Sequence, residues 1–135
     1  ASNPLKLIAD ADLYGSLTKP LAVPASLLSE DLKKKFKNLK LLDFGVGVKE
    51  NHFEFHKTGA VMPKLYTLVY ALAIATSGKA SRILLVGFDG YGPKEKRTKI
   101  IDELFYLYST FKDAKSIIAI TPTSYSVPSC SIYAL

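Results

Sequence analysis

The sequence has little of what disulfide-linked, metal-bound or membrane-spanning proteins depend on. Its 135 residues include a single cysteine, Cys130, which excludes an internal disulfide and fits a reducing compartment. The only histidines are His52 and His56, and they lack the accompanying cysteines or histidines that a zinc site needs. No apolar run is long enough to span a membrane, and the beginning of the chain lacks the charged and apolar regions of a signal peptide. These absences predict a cytoplasmic protein with no metal or cofactor of its own.

Positive charge is in excess, but its arrangement is not typical of a nucleic-acid-binding protein. The net charge is +6, from 18 lysines and arginines against 12 acidic residues. Much of the excess falls in residues 33–40 and 94–99, on predicted surface helices rather than on a sheet studded with aromatic residues. Solvated helix faces explain these charges; in the alternative, Lys94 to Arg97 form a phosphate-facing loop. The distribution predicts an anionic small molecule as the partner, and neither nucleic acid nor a membrane.

The stretch from Phe53 to Tyr91 has the pattern of one α/β unit around which the rest of the chain is organised. Apolar residues on nearly every face predict a central helix from about Pro63 to Ser77, closed by Gly78 in the left-handed conformation. Ile83 to Val86 is apolar without alternation, which is typical of a strand covered on both faces in a parallel sheet. Because Ala71 lies among the apolar residues of the helix, we expect no room there for a larger side chain.

The remaining elements alternate between strands and helices. Ser29 or Ser26 is expected to cap a helix whose first turn is acidic and whose last turn is rich in lysine. A bulge or a hairpin-like excursion is expected after Gly45-Val46-Gly47-Val48, since a dinucleotide fingerprint needs a third glycine and an immediate helix. The other predicted elements are strands at Leu5 to Ala9, Leu21 to Pro24, Leu39 to Phe44 and Ser116 to Ile120, a helix from Pro93 to about Phe111, and an extended tail from Ser126.

Together these elements predict a three-layer, Rossmann-like α/β domain with a mainly parallel sheet of about five strands. A length of 135 residues suits one domain, so residues 1–135 are predicted to form a single domain. A strand that enters at Ser2-Asn3-Pro4 has no βα unit before it. We therefore expect the chain to be a fragment of a longer protein.

Polar residues flank the central α/β unit at both of its ends. His56, Thr58 and Gly59 precede the predicted helix, and Asp89 and Tyr91 follow the predicted strand. Ligands of open α/β sheets bind beyond the carboxyl ends of strands and at helix N-termini, so we expect these residues to meet in one cleft and to hold an anion. In the alternative interpretation these residues have structural roles only. Thr58 caps the helix, and His56 is a hydrogen-bonded turn residue. Asp89 caps its loop, and Tyr91 packs at the rim of the sheet edge.

Several of these motifs resemble known families. Thr58-Gly59, the small-residue helix and ILLVGFDGY resemble a motif of the bacterial sialyltransferases that use CMP-sialic acid, and of the 6-hydroxymethylpterin pyrophosphokinase-like family, over about Phe53 to Tyr125. Nearly the whole chain more closely resembles the C-terminal domain of HMG-CoA-lyase-like aldolases of the DRE-TIM type, often labelled 4-hydroxy-2-oxovalerate aldolase. The segments that carry this second resemblance are SNPLKLIADADLY, FEFHKTGAVMP, LLVGFDGYG, ITPTSYSVP and SIYAL.

The aldolase resemblance implies a parent protein with a metal-dependent barrel, whose chemistry and divalent metal lie outside this chain. The sialyltransferase resemblance implies a nucleotide-sugar pocket, and the positions matching it are Asn3, Thr58, Gly59, Asp89, Tyr91, Thr123 and Ser124. Those enzymes place a histidine base after the GFDGY-like segment. No histidine follows His56 here, so no catalytic residue is assigned.

Three functions follow as hypotheses. The first is an accessory domain of an aldolase-like protein that binds an anionic ligand of sugar, nucleotide or pterin type at the carboxyl edge of its strands. The second is a transferase acting on a nucleotide-sugar or a pterin diphosphate. The third is an oligomerisation module, since the parent barrels commonly oligomerise. Whether the domain is an enzyme is left open, and its expected partners are the anionic ligand, the parent aldolase domain and a further copy of itself.

Overall fold

The order of elements along the chain is that of a mixed α/β protein. The computed structural model describes residues 4–92 and 95–134, and over these residues it has five α-helices, seven β-strands and two short 3-10 turns. Contacts divide the chain into two units, Ala1–Gly78 and Lys79–Leu135. The predicted α/β class is confirmed, and the single-domain assignment stays a prediction.

The first part of unit 1 is a parallel strand pair connected by a helix. Helices α1 (Pro4–Ala9) and α2 (Ala11–Gly15) precede strand β1 (Leu21–Val23), helix α3 (Glu30–Lys35) and strand β2 (Leu41–Asp43). Strands β1 and β2 are parallel, with Leu21 opposite Leu41. The predicted cap of α3 is confirmed, because the Ser29 hydroxyl accepts a hydrogen bond from the Leu32 N–H at 3.4 Å. The core of this part contains Leu7, Ala11, Val23, Leu32, Phe36 and Leu39.

The strand predicted at Leu5 to Ala9 is wrong, since these residues belong to α1. Leu7 and Ala11 are buried and Tyr14 packs against the same core. Their spacing of four and three residues is the period of a helix, and it continues past the short apolar run that suggested a strand.

A three-stranded mixed sheet follows directly. It consists of β3 (Gly45–Val48), β4 (Glu54–His56) and β5 (Gly59–Met62), in the order β3-β5-β4. Strand β5 is parallel to β3 and antiparallel to β4. The hairpin-like excursion was expected from Gly45-Val46-Gly47-Val48 into Phe53 to His56, but β3 and β4 do not pair; the observed hairpin is that of β4 and β5.

The central helix, α4, spans Thr67–Ser77 and begins later than predicted. Residues 63–66, predicted as its first turn, form a non-helical bend between β5 and α4. Gly78 has φ of −74°, so the prediction of a left-handed glycine at the helix end is wrong; Lys79 has the positive φ, 58°. Ala71 is exposed whereas Ala73 is fully buried, so the predicted tight packing at Ala71 is wrong as well.

Unit 2 is a second parallel strand pair with a helical connection. It contains β6 (Arg82–Leu85), α5 (Lys96–Ser109) and β7 (Ser116–Ala119), with Ile83 opposite Ile117. The helix predicted over this stretch is confirmed as α5, and its buried residues are Ile101, Leu104, Phe105 and Tyr108. The tail runs beside β7: the Ala119 N–H donates to the Pro128 carbonyl at 2.8 Å, and the Cys130 N–H donates to the Ala119 carbonyl at 3.0 Å.

The strands of the described residues form three small sheets of two, three and two strands. Each strand has only three or four residues, and one of the three sheets contains an antiparallel pair. A five-stranded, mainly parallel sheet is therefore not seen among them. The longest of the described helices, α5, has 14 residues, and none is long and apolar enough to cross a membrane.

Candidate functional site

The residues predicted for the site are divided between the two units. His56, Thr58 and Gly59 belong to unit 1, and Asp89, Tyr91, Thr123 and Ser124 belong to unit 2. Asn3 lies outside the described residues, as does Lys94 of the predicted phosphate-facing loop. Each group is described in its own unit, and the prediction that they share one cleft stays a prediction.

The group in unit 1 lies on the β4–β5 hairpin. His56 ends β4 and is opposite Gly59, the first residue of β5, while Thr58 is exposed in the turn between them. The His56 Nε2 lies 3.2 Å from one carboxylate oxygen of Glu54, and the His52 Nε2 lies 3.7 Å from the other. The prediction that Thr58 and Gly59 begin a helix is wrong, because the turn is followed by a strand and not by free helical N–H groups. Their role in ligand binding stays a prediction.

In unit 1 the carboxyl edge of the β1–β2 pair is closed by the chain itself. The Ala25 N–H, just beyond β1, donates to the Asp43 carboxylate at 2.8 Å. The Tyr70 hydroxyl donates to the Phe44 carbonyl, just beyond β2, at 2.8 Å. Burial raises the pKa of Tyr70 to about 12, and the charge of Asp43 adds to that shift. At this edge the Asp43 carboxylate and the Tyr70 hydroxyl are therefore both engaged by backbone groups of the same unit.

In unit 2 two polar loops leave the carboxyl ends of β6 and β7 and are joined by hydrogen bonds. The Gly87 N–H donates to the Thr121 hydroxyl at 2.8 Å. The Thr123 hydroxyl donates to the Phe88 carbonyl at 2.7 Å. The Ser124 N–H donates to the Asp89 carbonyl at 2.8 Å. Three of the predicted site residues, Asp89, Thr123 and Ser124, are thus brought together at this edge.

Gly90 makes the close approach of these loops feasible. Its φ is +98°, a conformation that residues with a side chain rarely adopt. A Cβ placed there would come within 1.9 Å of the Ser124 hydroxyl oxygen and 3.2 Å of the Ser124 Cβ. Gly87 also has a positive φ, +61°, but a Cβ there would meet nothing within 4 Å. Gly90 is therefore needed both for its backbone conformation and for its lack of a side chain.

Aromatic packing anchors the two loops to α5. The Tyr125 ring lies 5.4 Å from the Phe88 ring and 5.7 Å from the Phe105 ring, measured between centroids. Tyr125 is buried, and burial raises its pKa above the usual range, with smaller contributions from Tyr91 and Asp102. The two loops are therefore packed against α5 through the rings of Phe88, Phe105 and Tyr125.

Tyr91 and Arg97 form the charged side of this edge. The guanidinium carbon of Arg97 lies 4.4 Å from the centre of the Tyr91 ring, a cation–π contact. The same guanidinium lies 3.1 Å from the Glu95 carboxylate, and this hydrogen bond lowers the pKa of Glu95. Tyr91 and Asp89 are both exposed. A cation, a carboxylate and a phenol are thus available to a ligand from solvent.

A cavity of about 590 Å³ opens at the carboxyl end of β7. Its polar lining comes from Thr121, Thr123, Tyr125, Ser129, Cys130 and Ser131. Of these six residues Thr123 belongs to the predicted site, and the tail residues Ser129, Cys130 and Ser131 are among those that were not predicted. Their position depends on the pairing of the tail with β7, at Ala119 and Ser129, which no local pattern indicates.

Among residues 4–92 and 95–134, no cluster of three or more histidine, cysteine, aspartate or glutamate side chains could hold a metal ion. No family model, curated protein or solved structure matches the chain.

Proposed function

We propose that this chain is an accessory domain of an aldolase-like protein and binds a small anionic ligand of sugar, nucleotide or pterin type. The proposed site is the carboxyl edge of β6 and β7 in unit 2. The observation that carries the proposal is the cavity of about 590 Å³ beside two hydrogen-bonded polar loops. The motifs quoted above are the support for the aldolase association.

The chemistry of the cavity supports a ligand rich in hydroxyl groups. Ligand pockets commonly measure about 300–1,000 Å³ and combine apolar walls with a few placed polar groups. A hydroxyl group has one donor and two acceptor positions. The Thr121 oxygen accepts from the Gly87 N–H, so its own O–H is left to donate. The Ser131 oxygen accepts from the Tyr133 N–H and likewise keeps a donor.

The anionic part of the ligand is assigned to Arg97. Its planar guanidinium can form two parallel hydrogen bonds with a phosphate or a carboxylate. It is exposed and paired with Glu95, so an anionic ligand would compete with that carboxylate. Asp89, exposed on the neighbouring loop, would accept hydrogen bonds from ligand hydroxyl groups.

The connectivity of unit 2 supports the same edge. Strands β6 and β7 are parallel and joined by α5, which makes them a βαβ unit. In Rossmann-like sheets, ligands bind beyond the carboxyl ends of such strands. The three-layer, Rossmann-like fold with about five strands is part of this proposal, and the parallel pairs β1–β2 and β6–β7 are its support.

The test is a binding panel of cytidine monophosphate, a hexose phosphate and pterin-6-carboxylate, measured by calorimetry and by thermal shift. We expect Asp89→Asn to weaken binding about tenfold or more, since it removes a charged acceptor, while the melting temperature without ligand stays the same. Asp113→Asn, an exposed carboxylate between α5 and β7, is the matched control. If no probe binds, or both variants weaken binding equally, the proposal is wrong; turnover of a CMP-sugar would favour the transferase hypothesis.

An oligomerisation module is the second candidate, and a specific observation favours it. Ile132 and Tyr133, in the 3-10 turn near the end of the tail, are 59% and 96% exposed. Large apolar side chains that protrude this far commonly mark a contact surface. Light scattering after size exclusion tests this candidate: a dimer that Tyr133→Ser converts to a monomer would support it.

A further inference from the structure

A second groove, of about 670 Å³, lies at the amino end of β7 and is lined by residues of unit 2 alone. Ser116 and Ile117, the first residues of β7, belong to its lining, together with one face of α5, the connection between α5 and β7, and residues 126–128 of the tail. The cavity proposed above is lined instead from the carboxyl end of β7 onward. The two lining sets share only Val127.

One wall of the groove is a stripe of α5. Asp102, Tyr106 and Ser109 follow one another at spacings of four and three, so they share a face of the helix. Phe105 lies on the same face and is buried, whereas Tyr106 is 74% exposed. Because the ring of Tyr106 is exposed, it can stack on a ligand without any change in the packing of the core.

The opposite wall is fixed in place by the tail. The Ser126 N–H donates to one oxygen of the Asp102 carboxylate at 2.7 Å, and the Ser126 hydroxyl lies 3.4 Å from the other oxygen. The Ala119 N–H holds the Pro128 carbonyl at 2.8 Å. The groove is thus formed before any ligand arrives, and the negative charge of Asp102 is engaged by the tail.

The charged groups of the lining are Asp102, Lys112 and Lys115. The backbone N–H of Lys115 donates to the Tyr108 hydroxyl at 2.8 Å, which fixes the segment that carries the two lysines. Asp113 lies between them in sequence but does not belong to the lining. The C-terminal end of α5 has a partial negative charge, which the lysines offset. With two lysines against one carboxylate, the net charge of the lining is positive.

We propose that this groove binds a small aromatic acid. Its ring would lie against Tyr106, Phe111 and Val127, and its carboxylate or sulfonate would pair with Lys112 and Lys115. An aromatic and apolar lining that also contains two lysines suits this class of molecule, since the ring buries apolar area while the acid stays in contact with water. The inference does not depend on the function proposed for the carboxyl edge.

The test is a titration with 1-naphthoate, followed through the ¹H–¹⁵N spectrum of the full chain. Chemical shifts are expected to change at Ser109, Lys115 and Val127. The neutral analogue 1-naphthamide should bind about tenfold more weakly, the size expected when two exposed ion pairs are lost. No binding of 1-naphthoate, equal binding of both compounds, or shifts confined to residues outside the groove would overturn the proposal.

Two sets of variants locate the interaction. Lys112→Gln/Lys115→Gln is expected to weaken 1-naphthoate binding about fivefold to tenfold. Lys34→Gln/Lys99→Gln is the matched control, because it makes the same change in net charge at exposed lysines outside the lining. Tyr106→Ala is expected to weaken binding about fivefold, and Tyr133→Ala, an exposed tyrosine outside the groove, should leave it unchanged. The assignment is wrong if the Lys112/Lys115 variant binds 1-naphthoate as tightly as the Lys34/Lys99 control, or if the Tyr106 variant binds it as tightly as the Tyr133 control.

Discussion

Two of the parallel strand pairs among the described residues, β1–β2 in unit 1 and β6–β7 in unit 2, end differently at their carboxyl edges. In unit 1 the Ala25 N–H and the Phe44 carbonyl, which leave β1 and β2, bond to Asp43 and Tyr70 within the same unit. In unit 2 the segments after β6 and β7 are loops rich in glycine, serine and threonine, beside a cavity of about 590 Å³. The polar groups at both edges bond within their own units, so the cavity and the exposed Asp89 and Tyr91 are what support a ligand site in unit 2 in our proposal.

The largest effect is expected at Gly90, whose backbone conformation lets the two loops at the carboxyl edge of unit 2 approach each other. Gly90→Ala should destabilise the protein by about 3 kcal/mol, from the strain of a side chain at φ of +98° and from the contact with Ser124. Urea unfolding followed by circular dichroism measures the change. Ligand binding at this edge should be lost together with the stability, because the two loops can no longer approach each other.

Gly87→Ala is the control for this prediction. It also places a side chain at a positive φ, +61°, but in open space, so we expect a loss of only about 1 kcal/mol. In a Ser124→Gly background, Gly90→Ala should cost less than in the natural chain, because part of the contact is gone. Equal losses for the two glycine variants would mean that contact between the loops has no role at the edge.

A smaller effect is expected from overpacking the closed unit. Ala73→Leu should destabilise the protein by about 2 kcal/mol, since Ala73 is fully buried on α4. Ala71→Leu, two residues away on the exposed side of the same helix, should change the melting temperature little. A similar loss of stability for both variants would show that both faces of α4 are packed.

The smallest effect at neutral pH is expected from Tyr70→Phe, which removes one of the bonds that close the edge of unit 1. The Phe44 carbonyl would lose its buried donor, at a cost of about 1 kcal/mol. Thermal unfolding at pH 7 measures this loss. A variant as stable as the natural protein would mean that the bond does not help to close the edge.

The contribution of Tyr70 is also expected to depend on pH. Its pKa is about 12 in the folded protein and near 10 in the unfolded chain, so folding favours the protonated phenol. The corresponding stability is fully present below pH 10 and is lost as the pH rises from 10 through 12. Tyr70→Phe lacks this titration, so its unfolding free energy should fall less steeply than that of the natural protein over this range. Parallel curves would contradict the assigned burial of the hydroxyl.

The elements that could be predicted from sequence are those specified by local signals. Ser29 with its acidic first turn marks the start of α3, and the stripe from Ile101 to Tyr108 marks the buried face of α5. The α1 region was mispredicted because a short apolar run fits a strand and a helix equally well. Strand β5 was missed because its extended conformation depends on pairing with β3 and β4, which the four residues of β5 do not indicate by themselves.

The candidate site was predictable to a similar degree. Asp89 was predicted from the end of a strand, and Thr123 and Ser124 from the sialyltransferase resemblance. The hydrogen bonds between their loops bring them together. Ser129 and Ser131 were not, because they reach the cavity through the return of the tail beside β7. Arg97 was predicted only as part of the alternative phosphate-facing loop, Lys94 to Arg97. Its contact with Tyr91 depends on the spatial relation of a helix and a loop.

The most direct test of the central claim is a ¹H–¹⁵N titration of the full chain with cytidine monophosphate. We predict that the amide resonances of Gly87, Asp89, Thr121 and Ser124 shift together, with one dissociation constant. The amide resonances of Ala25 and Phe44 should not shift. Shifts at Ala25 and Phe44 would contradict the central claim, because they would place the ligand at the closed edge. No shift at either edge with any of the three probes would contradict it as well.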